Sequence, residues 1–221
     1  MKQQSRLKSY VKRSGRLTNS QKRILEKKEY DANFFNFEKI FNYQELFKNS
    51  NPCILDIGFG DGKLLTSTAK NFQNLNFIGV EVYDAGIGNI LKQISKKKLK
   101  NLKILNCDAI DLLENYIVDN SLYGISLFYP DPWPKKKHHK RRIIDESFLN
   151  LVGKKVCKGG FLKIATDWSN YADDIINLLN KNDSFEKECD RYLYKDRILT
   201  KFEKRGILLG HRITELCYKV R

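Results

Sequence analysis

From Pro52 onward, short apolar runs alternate with helical patterns. That alternation restricts the chain to an open, mostly parallel sheet covered by helices on both faces. Strands are expected over Cys53–Ile57, Asn76–Val82, Leu102–Cys107, Leu122–Tyr129 and Phe161–Thr166, with two more over Phe185–Asp190 and Arg212–Val220. Helices are expected over Lys63–Asn71, Ala85–Lys98, Ala109–Tyr116, Arg142–Cys157 (ending at Gly159-Gly160) and Trp168–Leu179. Such sheets bind ligands beyond the carboxyl ends of their strands, so polar residues there carry weight.

Ahead of this region the first 28 residues hold ten Lys or Arg and one acid, Glu26, with few apolar residues. Residues 1–17 read as a flexible basic arm. A helical pattern starts near Thr18, with Thr18 or Asn19 as cap, and residues 18–221 read as one domain.

The whole chain carries 41 Lys+Arg against 26 Asp+Glu, a net +15. A surplus of that size favours a polyanionic partner. With 41% hydrophobic and 12% aromatic residues the chain can build a core. It holds no run of 18 apolar residues, so no membrane span is expected, and the basic start runs into polar sequence, unlike a signal peptide. Five scattered cysteines without a C-x-x-C pair, and only three histidines, argue against a metal site and for a reducing, cytoplasmic setting.

The first strand runs into Asp56-Ile57-Gly58-Phe59-Gly60-Asp61-Gly62. A strand, a glycine turn and a helix make a nucleotide-binding context, because glycine lets the backbone approach a ligand. Lys63 stands where the last glycine of a dinucleotide fingerprint belongs. The G-x-G-x-G spacing with an acid before it suits S-adenosylmethionine, whose ammonium group Asp56 can receive. Glu81 closes the second strand and can take both ribose hydroxyls. Asp108 closes the third, within reach of an adenine edge. Each acid alone reads more readily as a helix cap; three at successive strand ends favour an adenosine site.

The fourth strand ends in Phe128-Tyr129-Pro130-Asp131-Pro132-Trp133-Pro134, where flanking prolines hold Asp131 rigid. Lys135–Arg142 follows with six positive charges and two imidazoles, a phosphate-binding run at the active edge rather than a solvated face. Trp133 can stack on a base or anchor its loop. Thr166-Asp167-Trp168 follows the fifth strand and can simply cap a helix. Thr200–Gly206, in the connection before the last strand, is either a surface turn or a base-reading patch. In the second case Glu203 would accept hydrogens from guanine.

These motifs resemble one family, the bacterial tRNA (guanine-N7)-methyltransferases. The likeness runs from about Pro52 onward. It rests on Ile57-Gly58-Phe59-Gly60, Gly79-Val80-Glu81, the Pro-Asp-Pro-Trp block with its basic tail, Thr166-Asp167-Trp168, and Thr200-Lys201-Phe202-Glu203-x-Arg205-Gly206 with Leu209-Gly210-His211. The resemblance implies the Rossmann-like class I methyltransferase fold, an α/β architecture of seven strands with the last antiparallel. It implies S-adenosyl-L-methionine as cofactor, tRNA as partner, and a monomer or homodimer. Family positions for the cofactor fall on Asp56, Gly58, Gly60, Glu81, Asp108 and Asp131. Those for the substrate fall on Lys135, Asp167, Thr200, Lys201, Phe202 and Glu203, and Asp131 is implicated in catalysis. Two departures stand out: Asp56 where many relatives carry Glu, and Lys137 where Arg is common.

Three other readings compete. A ribosomal-RNA base methyltransferase is disfavoured by the Thr200–Gly206 block. A non-catalytic RNA binder is disfavoured by intact Gly58, Gly60, Gly62, Glu81 and Asp131. A nicotinamide oxidoreductase is disfavoured by Lys63.

Overall fold

The structure, a computed structural model, describes residues 7–11, 17–26, 40–187, 192–195 and 197–221. Seven strands form one sheet: β1 (Cys53–Ile57), β2 (Asn76–Val80), β3 (Leu102–Leu105), β4 (Leu122–Phe128), β5 (Val156–Thr166), β6 (Phe185–Lys187) and β7 (Thr214–Val220). Their spatial order is β3-β2-β1-β4-β5-β7-β6. β1 to β5 pair in parallel, and β7 runs antiparallel to both β5 and β6. The order reverses at β1, between β2 and β4, which opens a crevice at that edge.

Eight helices surround the sheet among the described residues: α1 (Asn19–Glu26), α2 (Tyr43–Phe47), α3 (Lys63–Asn71), α4 (Asp84–Lys97), α5 (Ala109–Asn115), α6 (Glu146–Lys155), α7 (Ser169–Asn180) and α8 (Lys201–Leu208). Strand side chains alternate between faces, and each face has its own core. Leu55, Ile78, Ile125 and Leu162 pack with Leu112, Phe148, Val152 and Ile175 of α5, α6 and α7. Ile54, Phe77, Ile104 and Phe161 pack with Leu65, Ile87, Ile90 and Ile94 of α3 and α4.

The fit is closest where Gly124 of β4 faces Phe161. A Cβ at Gly124 would stand 2.3 Å from the Phe161 ring. Gly124→Ala is therefore expected to cost about 1–3 kcal/mol through overpacking, visible as a lower urea midpoint at unchanged m. An unshifted midpoint would mean that the ring yields freely.

Two expectations about elements are corrected. The helix expected over Arg142–Cys157 spans only Glu146–Lys155, because Asp145 caps it, its Oδ1 accepting from Phe148 N–H at 2.8 Å. The residues before it make a 3₁₀ turn, Lys136–Arg141. Val156 to Gly160, expected as a helix end, already belong to β5. There two residues along β4 answer five along β5, and Gly159 takes the bulge at φ +78°. Thr200–Gly206 is not an irregular turn but the start of α8. Of the strand expected over Phe185–Asp190, Phe185–Lys187 is observed, and 188–190 lie outside the described residues.

Candidate active site

The glycine turn leaves β1 with Gly58, Gly60 and Gly62 at φ +72°, +59° and +74°, a left-handed path that side chains resist. Gly62 has a second reason to lack a side chain: its Cβ would lie 2.6 Å from Ile90 Cγ1 of α4. The turn is tied to β2 at two points. Gly58 N–H donates to Val80 O at 2.8 Å, and Gly60 N–H donates to Glu81 Oε2 at 3.0 Å.

Glu81 is 5% exposed. Its Oε1 accepts from Val82 N–H at 2.7 Å and Tyr83 N–H at 3.1 Å. Of the four lone pairs a carboxylate offers, backbone donors take three, leaving one on Oε2 for a ligand hydroxyl. Burial raises its pKa, opposed by those backbone donors, while the charge of Asp131 raises it further.

Asp56 also faces this edge from within β1. Ser126 Oγ–H donates to its Oδ2 at 2.6 Å, and among the described residues no cation pairs with it. Burial pushes its pKa up to about 7, with the Glu81 charge adding to the shift. A buried carboxylate of this kind, lining a cleft beside a second one, fits the positively charged end of a ligand. A buried unpaired carboxylate and a second one with a free lone pair are acceptors of the kind that S-adenosyl-L-methionine, with a cationic end and ribose hydroxyls, would require.

Asp108 caps α5, its Oδ1 accepting from Ile110 N–H at 2.9 Å. Its Oδ2 lies 3.1 Å from Lys8 Nζ. Lys8 belongs to the segment expected as a free arm. Residues 7–11 instead cross the mouth of the cleft, Tyr83 Oη–H donating to Val11 O at 2.9 Å and Trp133 Nε1–H to Ser9 O at 2.9 Å. Gly58, Glu81, Asp108, Asp131, Tyr10 and Phe202 thus line one depression. Asp131 and Phe202 are exposed within it, Phe202 hanging over Gly60.

The expected substrate positions divide. Lys135 is exposed beside the cleft, together with Lys136, Lys137 and Lys140. Lys201 is exposed on α8. Thr200 and Glu203 form a capping box: Thr200 Oγ1 accepts from Glu203 N–H at 3.1 Å, and Glu203 Oε2 accepts from Thr200 N–H at 3.2 Å. Glu203, expected to face a base, is 4% exposed and doubly bound by the Arg197 guanidinium. Arg197 also pairs with Glu215 of β7, which holds buried Lys163 of β5 at 2.7 Å. Asp167 is half-buried, 3.2 Å from His211 Nδ1. Asp131 is thus the exposed carboxylate of the three expected near the substrate base.

Sequence reasoning passed over Ser126, Arg197 and the seat of residues 7–11. Ser126 had a signal, a hydroxyl inside the apolar run Leu122–Phe128. The Thr200-x-x-Glu203 spacing is itself a capping-box signature for a helix start. Arg197, six residues before Glu203, carries no motif that assigns the pair, and Glu215 meets it only through the fold.

Residues 50–216 match the family model described as "Putative methyltransferase". A tRNA (guanine-N(7)-)-methyltransferase of Francisella philomiragia subsp. philomiragia is 41% identical over 221 residues, spanning 96% of this chain and 94% of that protein. One of Buchnera aphidicola subsp. Schizaphis graminum is 41% identical over 219 residues, spanning 96% and 91%. In fold, the chain resembles the 16S rRNA methyltransferase KamB, with a TM-score of 0.60 at 13% identity over 84% of this chain and 96% of that one. With such identity sustained along nearly the whole of both sequences, the chain belongs to the tRNA (guanine-N(7)-)-methyltransferase family.

Proposed function

We propose that the chain transfers the methyl group of S-adenosyl-L-methionine to N7 of a guanine in tRNA, at position 46 of the variable loop. One observation carries the reading: at the carboxyl edge of four parallel strands Asp56 lines one depression and Asp108 and Asp131 an adjoining one, with Glu81 common to both and exposed lysines at the rim. The cofactor supplies an electrophilic methyl on a positively charged sulfur. Guanine N7 carries an in-plane lone pair and no proton, so the protein needs no general base. Its task is alignment, from which most of the barrier reduction comes.

Asp131 positions the guanine and, as the exposed carboxylate in the cleft, faces the positive charge that grows on the base. Phe202 offers an exposed ring beside it for stacking. Glu203 supports this arrangement from inside α8, holding Thr200 in place through the capping box.

The direct test is methylation of unmodified tRNA with labelled cofactor, followed by nucleoside analysis. The expected product is 7-methylguanosine, lost when the guanine at position 46 is replaced by adenine. A different methylated nucleoside would overturn the reading.

Exposed Lys135, Lys137 and Lys140 are assigned to the tRNA backbone. Replacing each by Ala should flatten the dependence of log K on log salt by about 0.7–0.9 per lysine, measured by filter binding across a salt series. An unchanged slope would remove the basic run from the RNA interface.

A further inference from the structure

Arg142 ends the run of basic residues, yet it turns inward. It is 6% exposed, whereas Lys135, Lys136, Lys137 and Lys140 are exposed. Its Nε–H donates to Pro132 O at 2.8 Å. One terminal nitrogen pairs with Asp174 of α7, and the other donates to Asn170 Oδ1 at 3.0 Å and lies 3.1 Å from His139 Nε2. The guanidinium carbon stands 4.6 Å from the centre of the fully buried Tyr171 ring. The Tyr171 hydroxyl accepts in turn from Ile144 N–H at 3.1 Å.

Pro132 follows Asp131 directly, and the loop around it is unusual. Tyr129 and Trp133, on either side, sit in the left-handed region at φ +55° and +46°, where non-glycine residues are strained. Pro130, Pro132 and Pro134 have no N–H to give, which throws more of the loop's anchoring onto its carbonyl oxygens. The Pro132 carbonyl is held by a fork that is itself fixed on three sides by α7 and His139. A lysine offers a single flexible ammonium and cannot reproduce that rigid fork.

We propose that Arg142 is a positioning residue for methyl transfer, fixing the Asp131 loop through the Pro132 carbonyl rather than contacting RNA. This rests on the reading in which Asp131 acts in the transfer. A misplacement of about 1 Å in a reacting constellation costs on the order of 100-fold, so Arg142→Ala is expected to lower kcat by about that factor. Arg142→Lys, the less disruptive variant, should lose a large part of the same rate. For both, the KM for tRNA and the salt slope of tRNA binding stay at wild-type values. Thermal melting places the assay well below the transition of each variant.

A double-mutant cycle with Asp131→Asn separates the outcomes. If Arg142 acts through Asp131, Arg142→Ala adds less than about twofold on the Asp131→Asn background. Full additivity, with Asp131→Asn itself impaired, would overturn the positioning role and leave the function intact. An active Asp131→Asn would instead overturn the reading on which the proposal rests. A wild-type kcat in both Arg142 variants, with a slope flattened by about one charge, would make Arg142 an RNA contact and overturn the proposal.

Discussion

Asp131→Asn lowers the rate of methyl transfer by on the order of 10²–10³, the usual cost of removing one group that stabilises developing charge. The substitution keeps the shape of the side chain and the prolines around it, so the loop survives while its charge is lost. Glu203 and Asp167 cannot substitute, since Arg197 occupies the first and His211 the second. Cofactor affinity should change by less than about fivefold, the worth of one exposed charge, because Asp56 and Glu81 remain. Single-turnover transfer at saturating tRNA, set beside equilibrium cofactor binding, resolves the two effects. Equal losses in both would remove Asp131 from the chemical step and leave it a cofactor contact.

Asp56→Asn acts in the opposite sense on stability. In the folded chain burial holds the Asp56 carboxyl up to about 7, against an ordinary 3.8. Well below pH 4 both folded and unfolded states carry the proton, and Asp56 makes little difference. Between pH 4 and 7 the folded state keeps a proton that the unfolded state releases, so stability falls as pH rises. Above pH 7 the whole penalty is present, at most about 4 kcal/mol. Asparagine never ionises, and its carbonyl still accepts from Ser126. The cofactor-free variant should therefore melt at a higher temperature than the parent at pH 8 and at nearly the same temperature at pH 4. It should also bind cofactor about 10–100-fold more weakly, having lost a charge-assisted hydrogen bond. A variant no more stable at pH 8 would mean that water or a counter-ion already relieves the buried charge.

Much of this architecture was legible because local rules decide it. The apolar runs at Cys53–Ile57 and Leu122–Phe128 have the length and punctuation of buried strands, and Gly62 before Lys63 marks where a helix starts. The four acids could be placed at one edge because parallel strands end on the same side. The failures share a cause. Gly159-Gly160 reads as a helix stop, yet pairing with β4 carries the strand through it. Glu203 looks like a free carboxylate until Arg197 arrives from outside the helix. Arg142 looks like one more surface charge until α7 supplies Asn170 and Asp174. Each depends on a contact made from outside the element, which the element's own pattern does not encode.

The place of β7 has a consequence for biosynthesis. β6 is translated first, but among the described residues its only strand neighbour is β7, and β7 also covers the open side of β5 from Phe161 to Thr166. A nascent chain that lacks β7 therefore carries an unpaired β5 edge, with Lys163 in it deprived of Glu215, and a β6 strand with nowhere to dock. Such an edge is a template for pairing with another chain. Until β7 is in place the sheet cannot close on that side, so the last strand to be made decides whether the edge is sealed within the chain or left to pair with another.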